Sequence, residues 1–293
     1  MNYIFLKKGK LKLMNNNWTT IIKPKTGWFD INLKELVQYK DLIIMFVKRD
    51  FKTMYKQTIL GPLWIIINPL LTTLMFTVVF GNIANISTDG MPQIVFYMLG
   101  TTVWTYFSSC LTKTSSTFTA NAAIFGKVYF PRLVTPISTV ISGLINFGVQ
   151  FLMFLGFMAY FMIKGSPIEP NLWILITPLL LVQLAALALG FGIIISSMTT
   201  KYRDLAVLVT FGVQLWMYAT PVVYPASQIG GKLKTLMMLN PVSPIVESFR
   251  YAFLGSGSIP WNYLGISVIT TLVVLFAGVV LFSRVEKTFM DTV

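Results

Sequence analysis

Six stretches of this chain carry no charged residue at all: 59–80, 92–111, 133–163, 171–200, 205–224 and 259–283. A helix of roughly 20 apolar residues crosses the hydrocarbon core of a bilayer, so each stretch is long enough to span one. Two of them, at 31 and 30 residues (133–163 and 171–200), exceed a single thickness, and so tilt, extend beyond the hydrocarbon or include non-helical chain at their ends. The composition agrees, with 55% apolar and 11% charged residues and a mean hydropathy of +0.71. The expected fold is an all-α membrane protein with six transmembrane helices.

The few charges are placed unevenly. Lys and Arg number 23 against 10 Asp and Glu, a net charge of +13 with no histidine, and 12 of the basic residues precede residue 57. A cytoplasmic N-terminus puts these 12 inside with Lys113, Lys127, Arg132, Lys201, Arg203, Arg284 and Lys287. That makes 19 inside and leaves Lys164, Lys232, Lys234 and Arg250 outside, the asymmetry expected of a multi-pass plasma (inner) membrane protein with both termini cytoplasmic. The same argument removes nucleic acid as a partner, since no soluble scaffold presents the basic residues. Lys7, Lys8, Lys10 and Lys12 interrupt any signal-peptide core, so no cleavage is expected.

Four segments follow. Residues 1–31 read as a flexible basic leader and 32–57 as an amphipathic interface helix; Asn32 and Glu35 resemble a capping box, and Leu33, Leu36, Val37, Ile43, Ile44 and Val47 form its apolar stripe. The six-span domain occupies 58–285, and 286–293 form a cytoplasmic tail. Between spans five and six, Pro225, Pro241, Pro244, Gly230, Gly231, Gly255 and Gly257 alternate with apolar pieces, the pattern of short helices that re-enter or lie on the outer leaflet.

The chemistry left to such a chain is narrow. Cys110 is its one cysteine, so internal disulfides and thiolate or imidazole metal sites are excluded. Asp and Glu are scattered at span ends, without the paired arrangement an enzyme uses and without the intramembrane carboxylate of an ion-coupled carrier. No phosphate-binding loop occurs either, so an energy source belongs to a separate ATP-hydrolysing subunit; an energy-independent pore or scaffold is the alternative. Among the aromatic residues, Trp64, Tyr97, Trp104, Tyr106, Trp216 and Tyr218 are candidate channel-lining groups for sugar rings, and Tyr97, Trp104 and Trp216 lie deeper in their spans than an interfacial belt requires.

Particular strings carry a resemblance. Lys48-Arg49-Asp50-Phe51-Lys52 with Tyr55 through Trp64, Asn121 with Lys127 through Arg132, Tyr202-Arg203-Asp204, Thr220 through Pro225, and Asn240-Pro241 with Glu247 through Arg250 occur in the order found in membrane subunits of ATP-binding-cassette type 2 polysaccharide exporters. The chain resembles that family from about residue 33 to 285. The resemblance implies a homodimeric channel served by two copies of an ATPase that binds ATP and Mg, this chain holding no cofactor. It also implies an undecaprenyl-linked glycan as cargo, such as O-antigen, capsule-like glycan or teichoic acid. A drug or lipid exporter of the same fold is the alternative within transport.

Residue roles follow from the resemblance and from local chemistry. Asn121, Phe125, Lys127, Tyr129, Phe130, Pro131 and Arg132 occupy the family's coupling-helix position, where apolar residues on an inside loop need a covering partner or headgroups. Lys48, Arg49, Lys52 and Lys56 are candidates for holding lipid pyrophosphate near the point of admission, although positive-inside anchoring accounts for them equally well. Gly61-Pro62 suits a kink at a gate or an ordinary helix start. Pro221, Tyr224, Pro225, Glu247 and Arg250 mark an outer gate, with Glu247 and Arg250 spaced to pair on one helical face. Arg203 and Asp204 read as a structural pair at an inside turn.

Overall fold

The computed structural model describes residues 33–56, 61–202 and 204–292. The expected leader, the capping pair (Asn32 and the Glu35 side chain), Arg203 and the side chains of Lys56 and Pro62 lie outside the described residues. All regular structure among the described residues is helical.

The interface segment forms two helices, α1 (Leu33–Gln38) and α2 (Lys40–Lys56), where the sequence suggested one. Of the expected apolar stripe, Leu36, Ile43 and Val47 are half-buried, but Val37 and Ile44 are exposed; the inward face of α2 is carried by Phe46, buried, with Leu42 and Ile43 beside it, while Lys48 and Lys52 are exposed. The first span begins as a 3-10 turn at Gly61–Leu63, continues as α3 (Trp64–Phe76) and ends in a π-helical stretch, Thr77–Ile83. α3 keeps its course through an internal proline, Pro69.

α4 (Gln93–Ser115) is the axis of the fold, packed by α3 and by four of the later helices. Its spanning window is 78% buried, against 11% for the first span, because α4 is covered by protein while the first span presents most of its surface outward. A short helix α5 (Thr117–Phe125) leads to α6 (Val134–Ile163), the 30-residue helix that fills the third charge-free stretch without interruption. The fourth stretch opens instead with a 3-10 turn, Leu172–Ile176, capped by the Asn171 side chain, before α7 (Thr177–Thr199). α8 (Leu205–Tyr218), α9 (Gly231–Leu239), α10 (Ser243–Leu254) and α11 (Trp261–Thr292) complete the chain. α11 packs along α7 and stays helical through the segment expected to be a tail.

Among the described residues, five helical stretches have the length and composition to cross a bilayer: Trp64–Ile83, Gln93–Ser115, Val134–Ile163, Leu172–Thr199 and Trp261–Glu286. The expected fifth span differs. α8 has 14 residues, about 21 Å at 1.5 Å per residue, short of the ~30 Å hydrocarbon core. Helical hydrogen bonding stops there because Pro221 lacks an amide donor, and beyond it the carbonyls of Val222 and Tyr224 accept from the Arg250 guanidinium.

Candidate functional site

The polar groups of the spans converge on two open grooves flanking α4. One, of about 390 Å³, lies between the first span, α4 and α6, lined by Asn68, Thr72, Thr101, Thr105, Asn146 and Gln150, with Gly61 and Trp64 at its rim. The other, of about 700 Å³, separates α4 from α8 and presents Thr105, Ser108, Ser109, Thr112, Thr210 and Gln214 beside Trp104 and Tyr218. Thr105 belongs to both, and Lys113 is the one charged residue among the described lining of either. Hydroxyl and amide groups exchange hydrogen bonds with a polyhydroxylated ligand without holding it by charge. The sequence reading did not single out these amides and hydroxyls; Asn68, Asn146, Gln150 and Gln214, four amides inside charge-free spans, were the available signal.

The candidate aromatics separate into two groups. Trp64, Trp104 and Tyr218 reach the grooves. Trp216 stands behind them, its ring 6.5 Å from Trp104 and 5.2 Å from both Phe107 and Phe191. Tyr97 is wholly buried against Phe96, and Tyr106 lies in the core with its hydroxyl donating to the Val140 carbonyl at 3.3 Å, touching only a side pocket of about 50 Å³. Neither ring lines an open groove.

At the end of α4 nearer Gln93, α10 is almost entirely buried. Glu247 accepts a hydrogen bond from Arg250 Nη1 at 2.8 Å, the same nitrogen donates to the Tyr224 carbonyl at 3.1 Å, and Nη2 donates to the Val222 carbonyl at 2.6 Å. The guanidinium lies 3.9 Å above the Phe96 ring. Burial pulls Arg250 below its ordinary pKa and the adjacent Glu247 opposes that shift. Gly100 makes the close approach possible, since a Cβ there would stand 2.6 Å from the Val222 carbonyl oxygen. Asn240 ties the same region to α8: Trp216 Nε1 donates to its side-chain oxygen at 3.0 Å, and its amide donates to Thr220 Oγ1 at 2.8 Å. The Tyr224 hydroxyl donates to the Tyr218 carbonyl at 2.7 Å. Pro221, Tyr224, Pro225, Glu247 and Arg250 thus share one locality, and Asp89 reaches it by accepting from Ser227 at 2.8 Å.

At the opposite end of α4, the loop after α5 divides in a way the sequence did not indicate. Phe125 and Phe130 are buried inside the chain, 5.7 Å apart, in a cluster with Phe46, Phe118 and Phe282. Arg132 is held there too: its Nη1 donates to the Glu286 carbonyl, its backbone N–H donates to Glu286 Oε1 at 3.2 Å, and its guanidinium lies 5.4 Å over the Phe125 ring. Burial lowers the Arg132 pKa and Glu286 counteracts this. Asn121 is spent on the Thr117 carbonyl, at 2.9 Å, and Pro131 is half-buried. The large side chains left facing outward are Ile124, Lys127, Val128 and Tyr129, with Ala123 and Gly126 exposed beside them. These residues leave the loop's exposed surface open, while Phe125, Phe130 and Arg132 anchor the loop to α2 and α11.

On α2, Arg49 pairs with its neighbour Asp50 at 2.8 Å and covers the Phe46 ring at 4.5 Å, and Asp50 accepts from Ser142 of α6 at 3.5 Å. Lys48 and Lys52 point outward with Ile44, Met45 and Phe51, a mixed apolar and basic face suited to headgroups.

The sequence matches the family described as ABC-2 type transporter over residues 41–254. It is 28% identical over 251 residues to the O-antigen export system permease protein RfbA of Klebsiella pneumoniae, covering 86% of this chain and 94% of that protein. The protein of the same name from Myxococcus xanthus is 30% identical over 226 residues, 75% of this chain and 83% of its own. The polysialic acid transport protein KpsM of Escherichia coli is 24% identical over 250 residues, 83% and 93% of the two chains.

Proposed function

The chain belongs to the ABC-2 type transporter family, and from that premise we propose that it is the membrane subunit of an ATP-driven exporter of a lipid-linked polysaccharide. The observation that carries this reading is the pair of grooves along α4, lined by hydroxyls, amides and aromatic faces with Lys113 as the one charged residue among their described lining. A sugar chain needs many weak, interchangeable hydrogen-bond partners to move past, and such a lining supplies them.

Two copies of the chain face each other across these grooves in the bacterial inner membrane, completing a channel that one copy leaves open on one side. α8 with the irregular chain 219–224 serves as the sixth span, both termini lie in the cytoplasm, and α9 and α10 close the outer end. The patch at Ile124, Lys127, Val128 and Tyr129 meets a nucleotide-binding ATPase, present in two copies, which binds ATP and Mg. The undecaprenyl-linked end of the glycan approaches along α2, whose exposed Lys48 and Lys52 suit a pyrophosphate.

Deletion of the gene is the test. The surface glycan disappears, its lipid-linked precursor accumulates on the cytoplasmic side, and a plasmid copy restores export. A drug or lipid exporter of the same fold leaves the surface glycan unchanged, and that result rejects the reading.

A further inference from the structure

A cleft of about 520 Å³ opens beside α10, between the 3-10 turn Ala226–Gln228, α9 and the start of α11, and it lies outside both grooves. Its size falls within the ~300–1,000 Å³ range of small-ligand sites. Its walls hold Glu247, Lys234, Ser227, Asn262 and Trp261, with Gly257 in the loop leading to α11.

The electrostatics of these walls select the ligand. Glu247 is buried, and one of its oxygens is fixed by Arg250 at 2.8 Å, while the other lies 3.6 Å from where a Cβ on the cleft residue Gly257 would stand. A carboxylate oriented in this way presents an acceptor. Lys234 supplies a donor, and the Asn262 amide supplies one of each kind. Among the described lining residues there is one carboxylate, already paired with Arg250, and one amine, Lys234, so the lining gathers no cluster of like charges. A calcium ion takes six or more oxygen ligands, and one carboxylate supplies few of them. A phosphate would stand against the Glu247 carboxylate, and an aliphatic ligand would strand the carboxylate and amide without partners. A neutral ligand with many hydroxyls satisfies every one of these groups. Trp261 adds a platform: its indole is half-exposed and braced edge-on by Trp173, the ring centroids 5.2 Å apart. Such an indole offers an electron-rich face to the C–H side of a sugar ring.

We propose that this cleft is a saccharide subsite, taking one or two neutral sugar residues at the outer end of the subunit, separate from the transport grooves. The assignment of the cleft to the outer side, and of glycan as its natural ligand, rests on the function proposed above. The subsite holds the emerging chain beside the closed α9–α10 region and disfavours its return.

The test uses the full chain purified in mild detergent with the ATPase that accompanies it. The probes are methyl-capped trisaccharides of mannose, galactose and N-acetylglucosamine, with glycerophosphoethanolamine as the lipid-headgroup probe, read by saturation-transfer NMR. At least one trisaccharide shows transfer in the parent protein, and the transfer falls fivefold or more in Asn262→Ala and in Trp261→Ala. Asn262 is exposed, so the first variant tests the subsite even where loss of the indole impairs folding. Absence of trisaccharide transfer from the parent, persistence of transfer in Asn262→Ala, or stronger transfer to glycerophosphoethanolamine overturns the proposal. Loss of the subsite with glycan export intact leaves the transport reading standing, since that reading fails separately, by a normal surface glycan in the deletion strain.

Discussion

Arg250 and Glu247, one helical turn apart on α10, form a buried ion pair at 2.8 Å, and Nη1 and Nη2 of that arginine also donate to the Tyr224 and Val222 carbonyls in the chain that follows α8. Two charges are thereby committed to shaping backbone where helical hydrogen bonds have ended. Removing one partner from a buried pair leaves an uncompensated charge, which costs about 3–5 kcal/mol. Glu247→Gln and Arg250→Gln should each lower the midpoint of thermal unfolding, followed by size-exclusion profiles after heating in detergent. Unchanged midpoints in both variants contradict the pinning role.

Gly100 is tested by adding one methyl group. In Gly100→Ala the new carbon meets the Val222 carbonyl at 2.6 Å and Arg250 Nη2 at 3.1 Å, so the 222–224 segment must move at a cost of roughly 1–3 kcal/mol. Gly148, which has open space at the same position on α6, should tolerate alanine in the same melting assay.

The loop after α5 separates folding from docking. Phe130→Ala removes a buried ring that packs 5.8 Å from Phe46 and should destabilise the subunit by about 3–5 kcal/mol. Tyr129→Ala and Val128→Ser alter exposed positions, so they should leave the melting midpoint unchanged and reduce recovery of the ATPase with the tagged chain at least fivefold. Full recovery of the ATPase with both variants removes this patch from the interface.

Groove polarity is tested by Gln150→Leu and Gln214→Leu, near-isosteric changes on opposite sides of α4. Insertion and thermal stability should hold while surface glycan falls several-fold, measured per inserted molecule by immunoblot. Undiminished export in both variants assigns the sugar path elsewhere.

How much of this was legible in the sequence depends on the distance over which each feature is decided. The five bilayer-length helices follow from absence of charge over 20 or more consecutive residues, a local property. The end of α8 is marked locally by Pro221, but the course of the chain after it is not: the group that binds the Val222 carbonyl is Arg250, 28 positions further on. Glu247 and Arg250 were readable as a pair because three residues on a helix share a face. Phe125 and Phe130 looked like partner-facing residues because their cover, Phe46 and Phe282, comes from the two ends of the chain. Tyr97 and Trp104, seven residues apart on α4, have the same sequence environment, yet one is sealed in the core and the other borders a groove. The groove-lining amides passed unnoticed because a criterion built on charge treats Asn and Gln as part of an apolar run.

The central claim, that this subunit works only with a separate ATPase, is tested most directly by purifying the tagged chain from its native membrane in mild detergent and identifying by mass spectrometry what elutes in stoichiometric amount. The account predicts a protein carrying a phosphate-binding loop, at one copy per copy of this chain. A folded, monodisperse preparation that repeatedly yields no ATPase contradicts it.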